Sequence, residues 1–283
     1  MRIPATLLFA AAVFGSACRC DSQRPAPTPT PRAEAAPAQP GIPAAVLTGK
    51  SGAVELQRGS GPWTPAAAGD RIRPSDGLRT RPDAEAEISV DGVRVKLHDR
   101  SELRLAAVSP GLVRARVHGR VESEVAAGKG HVSLQVDEGA AVADSDGGHF
   151  LLTGEGTAVV VASTEGGVEV TSGGKTVQVN EGQIARVERD GLLDQPSAAL
   201  KKVLLAVRWP GEKTNRSSIP LSGRVASGSR VYVQGELVEV APSGEFRADV
   251  RLRDGRQKIA VVTVDPLGRR MEAESQVTRG GGQ

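Results

Sequence analysis

Short apolar runs alternate with polar residues along most of this chain, and Gly-rich breaks separate the runs. The clearest stretch is Thr157–Val187, where Val168–Val170 and Val177–Val179 carry valine at every second position. Gly166-Gly167 and Gly173-Gly174 interrupt these runs. A period of two with such breaks predicts short strands joined by tight turns. The pattern therefore predicts an all-β fold, which builds surfaces rather than an enclosed catalytic cleft.

One hairpin can be placed residue by residue from the pattern. Asp91-Gly92 lies between two alternating runs, and Asp-Gly is a strong signal for a two-residue turn. The resulting register gathers the apolar pairs on one face of the hairpin and the charged pair on the other, which supports it. The predicted pairs are Val90–Val93, Ser89–Arg94, Ile88–Val95 and Glu87–Lys96.

The C-terminal part shows the same strand signals. About seven short runs between residues 203 and 279 predict an Ig-like sandwich. Two registers are open for one of its hairpins. Pairing Val233 with Val238 implies a four-residue loop, whereas a turn at Gln234-Gly235 implies a two-residue loop. Pro196–Leu205 is the one segment predicted to form a short helix, which would act as a connector.

Composition limits the chemistry of the folded part. Aromatic residues make up 2% of the 283 residues, so Val, Ala and Leu must supply the core. The net charge of +3 comes from 36 basic and 33 acidic residues that are interspersed along the chain. Nucleic-acid binding uses basic clusters and aromatic stacking platforms, and the sequence offers neither. We therefore expect no nucleic-acid partner.

The N-terminus has the pattern of an export signal. Arg2 is followed by the apolar stretch Ala5–Phe14, which is too short to span a bilayer stably. Gly15–Cys18 resembles a bacterial lipobox, although Gly15 stands where an aliphatic residue is usual. We expect Cys18 to be the lipidation site, with an ordinary secretory signal as the alternative. Because both cysteines precede residue 21, the folded part uses no disulfide.

Several motifs follow one another in order across residues 47–189. They are Gly52–Val54 with Trp63, Gly69–Ile72, Leu78–Thr80, Ala86–Gly92, Ser101–Leu103 and Val168–Gln183. This series resembles the periplasmic FecR domain, with a departure at Val93, where the family often carries Ser. The resemblance implies a β-rich, partly solenoid-like domain outside the cytoplasm that contacts envelope proteins or polymers. The family's namesakes carry a cytoplasmic anti-sigma segment, which this sequence does not show ahead of its export signal.

A second series of motifs lies near the C-terminus. They are Ile219–Gly223, Val231–Gly235, Gly244–Phe246, Val250–Leu252 and Val261–Asp265. This series resembles the Ig-like B domain of glucodextranases, with Gln234 in place of the usual Asn. In that family the module is an accessory to the hydrolytic domain.

Together these patterns give an expected domain order. A Pro-rich tether would favour extended polyproline II and space the folded part from the membrane. The expected segments are 1–17 signal peptide, 18–44 lipidated cysteine and tether, 45–193 FecR-like domain, 194–202 connector, 203–279 Ig-like domain and 280–283 disordered tail.

The candidate catalytic and metal-binding residues are few. His98, His118, His131 and His149 are scattered singly, without the spacing of a metal site, and are expected to face solvent on strands. Asp144–Gly148 looks like the start of a calcium loop but lacks the later ligands, so a polar turn is favoured. Glu122 with Glu124, or Asp137 with Glu138, could be imagined as an acid–base pair, but no cleft is indicated. Trp63 is expected to pack on the opening strands.

These observations predict a protein that is not an enzyme and that has no cofactor, metal or catalytic residue. The function expected is a cell-envelope lipoprotein, facing the periplasm or cell exterior, whose modules bind protein partners or act as a scaffold. Two alternatives remain open. The modules could bind a polysaccharide or peptidoglycan, or they could serve in extracytoplasmic signalling related to FecR regulators.

Overall fold

A computed structural model describes residues 43–136, 141–155, 158–188 and 190–280 of the chain. All regular secondary structure in these residues is β, which confirms the predicted all-β class. None of their segments is a helix that could cross a membrane. The predicted signal peptide, Cys18 and most of the tether lie outside the described residues.

The helix predicted at Pro196–Leu205 is wrong. Ser197–Ala198 instead forms a short strand that pairs with Gln183 and Ile184. The amide of Ala199 also donates to the carbonyl of Gly182 at 2.9 Å. Isolated helices this short are unstable in water, so pairing with the available edge of β15 is favoured over helix formation.

Sixteen strands lie between residues 45 and 198 of the described chain. They are β1 Ala45–Ser51, β2 Val54–Gln57, β3 Trp63–Pro65, β4 Arg71–Ile72, β5 Gly77–Thr80, β6 Glu85–Val90, β7 Val93–Leu97, β8 Glu102–Ser109, β9 Leu112–Val125, β10 His131–Val136, β11 Val142–Ser145, β12 Gly148–Glu155, β13 Ala158–Ser172, β14 Lys175–Asn180, β15 Gln183–Glu188 and β16 Ser197–Ala198.

These strands form the two layers of an N-terminal sandwich. The first layer has the order β4-β1-β6-β7-β9-β12-β13-β15-β16. The second has the order β3-β2-β5-β8-β9-β10-β11-β13-β14. Their inward residues share one core, rich in Val, Leu and Ala, with Phe150 as its large aromatic side chain. Pairing is antiparallel except between β9 and β10, which are parallel.

Two long strands belong to both layers. Residues 112–118 of β9 pair in the second layer, and residues 119–125 pair in the first. Strand β13 likewise pairs in the first layer through residues 158–166 and in the second through residues 167–172. The change occurs at glycines with positive φ, 87° at Gly119 and 68° at Gly166. The predicted break at Gly166-Gly167 is therefore a bend inside one continuous strand.

The predicted hairpin at Asp91-Gly92 is confirmed. Val90 pairs with Val93, and Glu87 pairs with Lys96, as the pattern required. Both turn residues have positive φ, 31° and 89°, which is the backbone of a two-residue turn that follows the strand twist.

Eight further strands form a C-terminal sandwich. They are β17 Leu205–Arg208, β18 Lys213–Thr214, β19 Ser218–Val225, β20 Arg230–Val233, β21 Glu236–Val238, β22 Glu245–Arg251, β23 Gly255–Val264 and β24 Arg270–Arg279. A three-stranded sheet, β17-β19-β22, packs on a five-stranded sheet, β18-β24-β23-β20-β21. Phe246, Ile259 and several valines fill the core between them.

One of the two open registers is realised in this sandwich. Val231 pairs with Val238 and Val233 with Glu236, around a Gln234-Gly235 turn. The four-residue loop is therefore wrong. Gln234 has a φ of 54° and its side chain donates to the carbonyl of Lys258 at 3.0 Å, which helps to hold the left-handed conformation.

Candidate functional site

The two sandwiches belong to one compact unit and meet through buried charged groups. Asp99, in the turn after β7, accepts a hydrogen bond from Arg230 Nη1 at 2.8 Å. The Tyr232 hydroxyl donates to the same carboxylate at 3.1 Å. Only 3% of the Arg230 side chain is exposed. Burial raises the pKa of Tyr232, so its phenol stays protonated and able to donate.

A second contact uses Arg120 of β9. Its Nη1 donates to the carbonyl of Asp265 at 3.1 Å. Arg120 is 2% exposed, and its Nε and Nη2 have no hydrogen-bond partner among the described residues. Burial, reinforced by the charge of Arg230, lowers its pKa to about 10. The Asp265 carboxylate is held by Arg269, which donates from Nε at 2.7 Å.

Close backbone packing accompanies these polar contacts. A Cβ on Gly228 would lie 2.5 Å from Val160 Cγ2, so only glycine allows this approach. Arg186 of β15 donates from Nη1 to the carbonyl of Pro242 at 3.0 Å. The N-terminal sandwich thus contacts two separate turns of the C-terminal one.

A cleft of about 400 Å³ lies between the sandwiches. Ala158 and Val160 form one wall, and the segment from Leu237 to Pro242 forms the other. Arg100 and Arg230 contribute positive charge and Glu239 negative charge, and the Oγ of buried Ser229 has no partner among the described residues. Ligand sites are commonly apolar clefts of this size at domain interfaces with a few polar groups. This cleft is the candidate functional site of the described chain.

Two of the four histidines converge on Glu122 although their spacing in the sequence does not predict it. His98 Nε2 lies 3.1 Å from Glu122 Oε2, and His149 Nε2 lies 2.7 Å from Glu122 Oε1. The hydrogen bond from His98, aided by His149 and opposed by burial, lowers the pKa of Glu122 to about 2. Thr164 Oγ1 contacts His149 Nδ1 at 2.5 Å. The cluster lies half-buried on the outer face of the first layer, so the expectation of plain solvent-facing histidines is wrong for this pair.

The other candidate residues stay apart. Glu124 pairs with Arg94 rather than with Glu122. His131, the first residue of β10, lies 2.6 Å from Asp146 in the turn after β11 and 3.6 Å from Asp144. His118 is exposed at the second layer, where it borders the cleft between the sandwiches. The described residues contain no group of three or more side chains arranged to hold a metal ion. Asp137 and Glu138 lie outside the described residues.

Trp63, the first residue of β3, packs on the opening strands, as expected from the sequence. A Cβ on Gly77 would lie 3.0 Å from its Cη2, so the ring rests over this glycine. The guanidinium carbon of Arg79 lies 4.2 Å from the ring centroid. This geometry is a cation–π contact and leaves the indole half-buried.

Sequence reasoning missed the residues that join the sandwiches. Arg230 directly precedes the strand pattern Val231–Val233. An arginine next to a strand that is predicted to be buried was the available signal of a buried charge. Asp99 lies in a turn of ordinary composition, so nothing in its neighbours distinguishes it.

Comparison with known proteins gives a family match for part of the N-terminal sandwich. The model of the FecR protein family matches residues 76–185. The resemblance inferred from the motifs over residues 47–189 is thereby confirmed for that part. No curated protein matches the chain. The glucodextranase-type resemblance and the lipobox stay predictions.

Solved structures give distant matches. Two crystal structures of a candidate anti-sigma factor from Parabacteroides distasonis align with a TM-score of 0.38, at 14% and 15% identity. Each alignment covers 43% of this chain and 59% of the other. A polysaccharide lyase aligns with a TM-score of 0.23 at 8% identity, over 86% of this chain and 40% of the lyase. The chain therefore spans less than two thirds of each of these structures.

Proposed function

We propose that this protein is a non-catalytic lipoprotein of the cell envelope whose two sandwiches bind a protein partner, as a scaffold or in extracytoplasmic signalling. The FecR family match over residues 76–185 supports an envelope protein related to signalling. The lipobox-like Gly15–Cys18 supports anchoring through Cys18.

The cleft between the sandwiches carries the proposal. Both sandwiches line it, and the buried contact of Asp99 with Arg230 fixes their relative position beside it. Its apolar walls suit a peptide segment, which offers apolar side chains to fill such a cleft. The partner would insert such a segment into the cleft.

Site-specific photocrosslinking in living cells tests this proposal. A photoreactive residue replaces Ala241, at the exposed rim of the cleft, and in a matched variant it replaces Thr176, exposed on β14. We expect an adduct with an envelope protein from position 241 and none from position 176. Equal adducts from both positions, or adducts from neither, would contradict the proposal.

The lipid anchor is tested separately. We expect Cys18→Ala to move the protein from the membrane fraction to the soluble fraction, because one cysteine carries the lipid in this interpretation. Cys20→Ala is the matched control and should leave the protein in the membrane fraction. Membrane retention of Cys18→Ala would rule out anchoring through this residue.

A further inference from the structure

The outer face of the sheet β17-β19-β22 carries exposed arginines. Arg208 of β17 and Arg247 of β22 both pair with Ser222 of β19, one on each side. Arg224 lies two residues further along β19 and, like the other two arginines, is exposed. Strand spacing places the Cα atoms of Arg208 and Arg247 about 9–10 Å apart, with a small serine between them.

Shallow depressions flank this row of side chains. The charged residues that border one depression, of about 590 Å³, are Arg208, Arg224, Arg247 and Glu245. Another, of about 410 Å³, lies on the opposite side of Ser222, and the charged residues that border it are Arg208, Arg247 and Asp249. The guanidinium groups therefore stand beside open space instead of covering the sheet.

None of these three arginines forms an ion pair within the described part of the chain, unlike Arg230 and Arg269 at the contact between the sandwiches. Glu245 and Asp249 lie on the same face, and neither carboxylate forms an ion pair with a described residue. Arg251 also points outward from β22. This face of the sheet therefore carries four arginines and two carboxylates, so its net charge is positive.

We propose that this face binds the carboxylate groups of an acidic polysaccharide chain. The planar guanidinium presents paired N–H donors that match a carboxylate bidentately. Arginines about 9–10 Å apart, with open space on both sides of their row, suit the repeated charges of an extended polymer.

The composition of the face favours a polysaccharide over a folded protein. Ala206 and Pro220 are the apolar residues on it, whereas the centre of a protein interface is apolar and depleted in charge. The large exposed apolar side chains lie elsewhere, at Leu192, Leu200, Leu204 and Met271. Recognition through charge also needs no aromatic platform for sugar stacking.

This inference goes beyond the proposed protein contact and uses a different surface. Removal of the arginines would leave the crosslinks from position 241 unchanged, so the two proposals fail separately.

The test measures binding of the full chain to polygalacturonate by affinity electrophoresis or surface plasmon resonance at several salt concentrations. Fully methyl-esterified polygalacturonate is the uncharged comparison. We expect the wild-type protein to bind only the acidic polymer. The double variant Arg208→Gln/Arg247→Gln should bind about tenfold more weakly and depend less on salt.

A charge-matched variant separates this face from general electrostatic attraction. Arg114→Gln/Arg116→Gln removes two exposed arginines from β9 that also form no ion pair with a described residue, and it should bind polygalacturonate as tightly as the wild type. Equal weakening in both double variants, or no binding by the wild type, would overturn the proposal. So would equally tight binding to polyglutamate or to phosphatidylglycerol vesicles, because these probes represent an acidic protein and a lipid surface.

Discussion

Arg120 and Arg230 are both buried between the sandwiches, but their partners differ. Arg230 faces the carboxylate of Asp99, whereas within the described part of the chain the guanidinium of Arg120 donates only to a backbone carbonyl. A buried charge with incomplete partners destabilises the folded state. When one partner of a buried ion pair is removed, the folded state loses stability because the other charge stays buried and unpaired. The two arginines should therefore respond in opposite ways to the same substitution.

We expect Arg120→Met to leave the free energy of unfolding unchanged or to raise it by up to about 2 kcal/mol, because it removes a poorly satisfied buried charge. Arg230→Met should lower it by about 3 kcal/mol, because Asp99 loses its cation. Urea unfolding of both variants measures the difference. A larger loss in the Arg120 variant than in the Arg230 variant would contradict this account.

The pKa of Glu122, about 2, lies below its ordinary value of 4.5, so the folded state prefers the charged form. Its stabilisation is fully present above about pH 4.5 and is lost as the pH falls towards 2. We expect Glu122→Gln to cost about 1–2 kcal/mol at pH 6, after allowance for solvent screening, and to flatten the loss of stability between pH 4.5 and 2.

Thermal unfolding across this pH range measures the effect. Glu124→Gln is the control, because its partner Arg94 is exposed and the pair lies in solvent. The same change in the pH profile of both variants would show that Glu122 has no special role.

The alternating pattern of β9 explains why sequence reasoning missed these residues. Positions 113, 115, 117, 121, 123 and 125 face the core, so Arg120 and Glu122 point outward. The sequence therefore predicts both as solvated. The C-terminal sandwich, contacted 145 residues later, buries Arg120. The cross-strand register brings His98 and His149 to Glu122, and no local spacing encodes that register.

At the scale of strands, the bends of β9 and β13 let each strand pair in both layers of the N-terminal sandwich. Gly119 has a φ of 87°, and a Cβ there would lie 2.6 Å from Ser101 Oγ and 2.8 Å from the Arg100 carbonyl oxygen. Gly174 has a similar φ of 76° but open space around the position of a Cβ. Alanine substitutions at Gly119 and Gly174 therefore separate the energetic cost of the backbone conformation from that of a steric clash.

We expect Gly119→Ala to lower the free energy of unfolding by about 3 kcal/mol or more, because strain and clash add. Gly174→Ala should lower it by about 1 kcal/mol, because only the backbone is strained. Chemical denaturation of the two variants makes the comparison. Equal losses would mean that the contact with Ser101 does not matter.

Turns differ in how much of their geometry the sequence reveals. Asp91-Gly92 has the residues that a two-residue turn prefers, and its register was predictable. Gln234-Gly235 adopts a similar turn, but Gln is unusual at a positive φ, so the pattern left a longer loop open. The pattern predicts a break at Gly166 and Gly167, because a bend within one strand and a turn between two strands use the same residue type.

At the scale of the whole molecule, the join between the sandwiches rests on few groups. Asp99 accepts hydrogen bonds from both Arg230 and Tyr232. We expect Asp99→Ala to lower stability by about 3 kcal/mol and to let the sandwiches unfold at different urea concentrations. Asp99→Asn, which keeps an acceptor for the tyrosine, should have a smaller effect.

The two tryptophans provide the measurement, because Trp63 lies in the first sandwich and Trp209 packs against the core of the second. Fluorescence of single-tryptophan proteins reports each sandwich. The midpoints should coincide for the wild-type protein and separate for Asp99→Ala. Coincident midpoints in the variant would show that other contacts carry the coupling.

The strands β9 and β13 also constrain the order of events during folding. Residues 119–125 pair with residues 148–154, and β13 closes against β15 at residues 184–188. Whether at the ribosome or during the proposed export, a polypeptide emerging N-terminus first would hold unpaired hydrogen-bonding groups until almost 190 residues had appeared. During that interval, proteases and chaperones would compete for the same unfinished sheet.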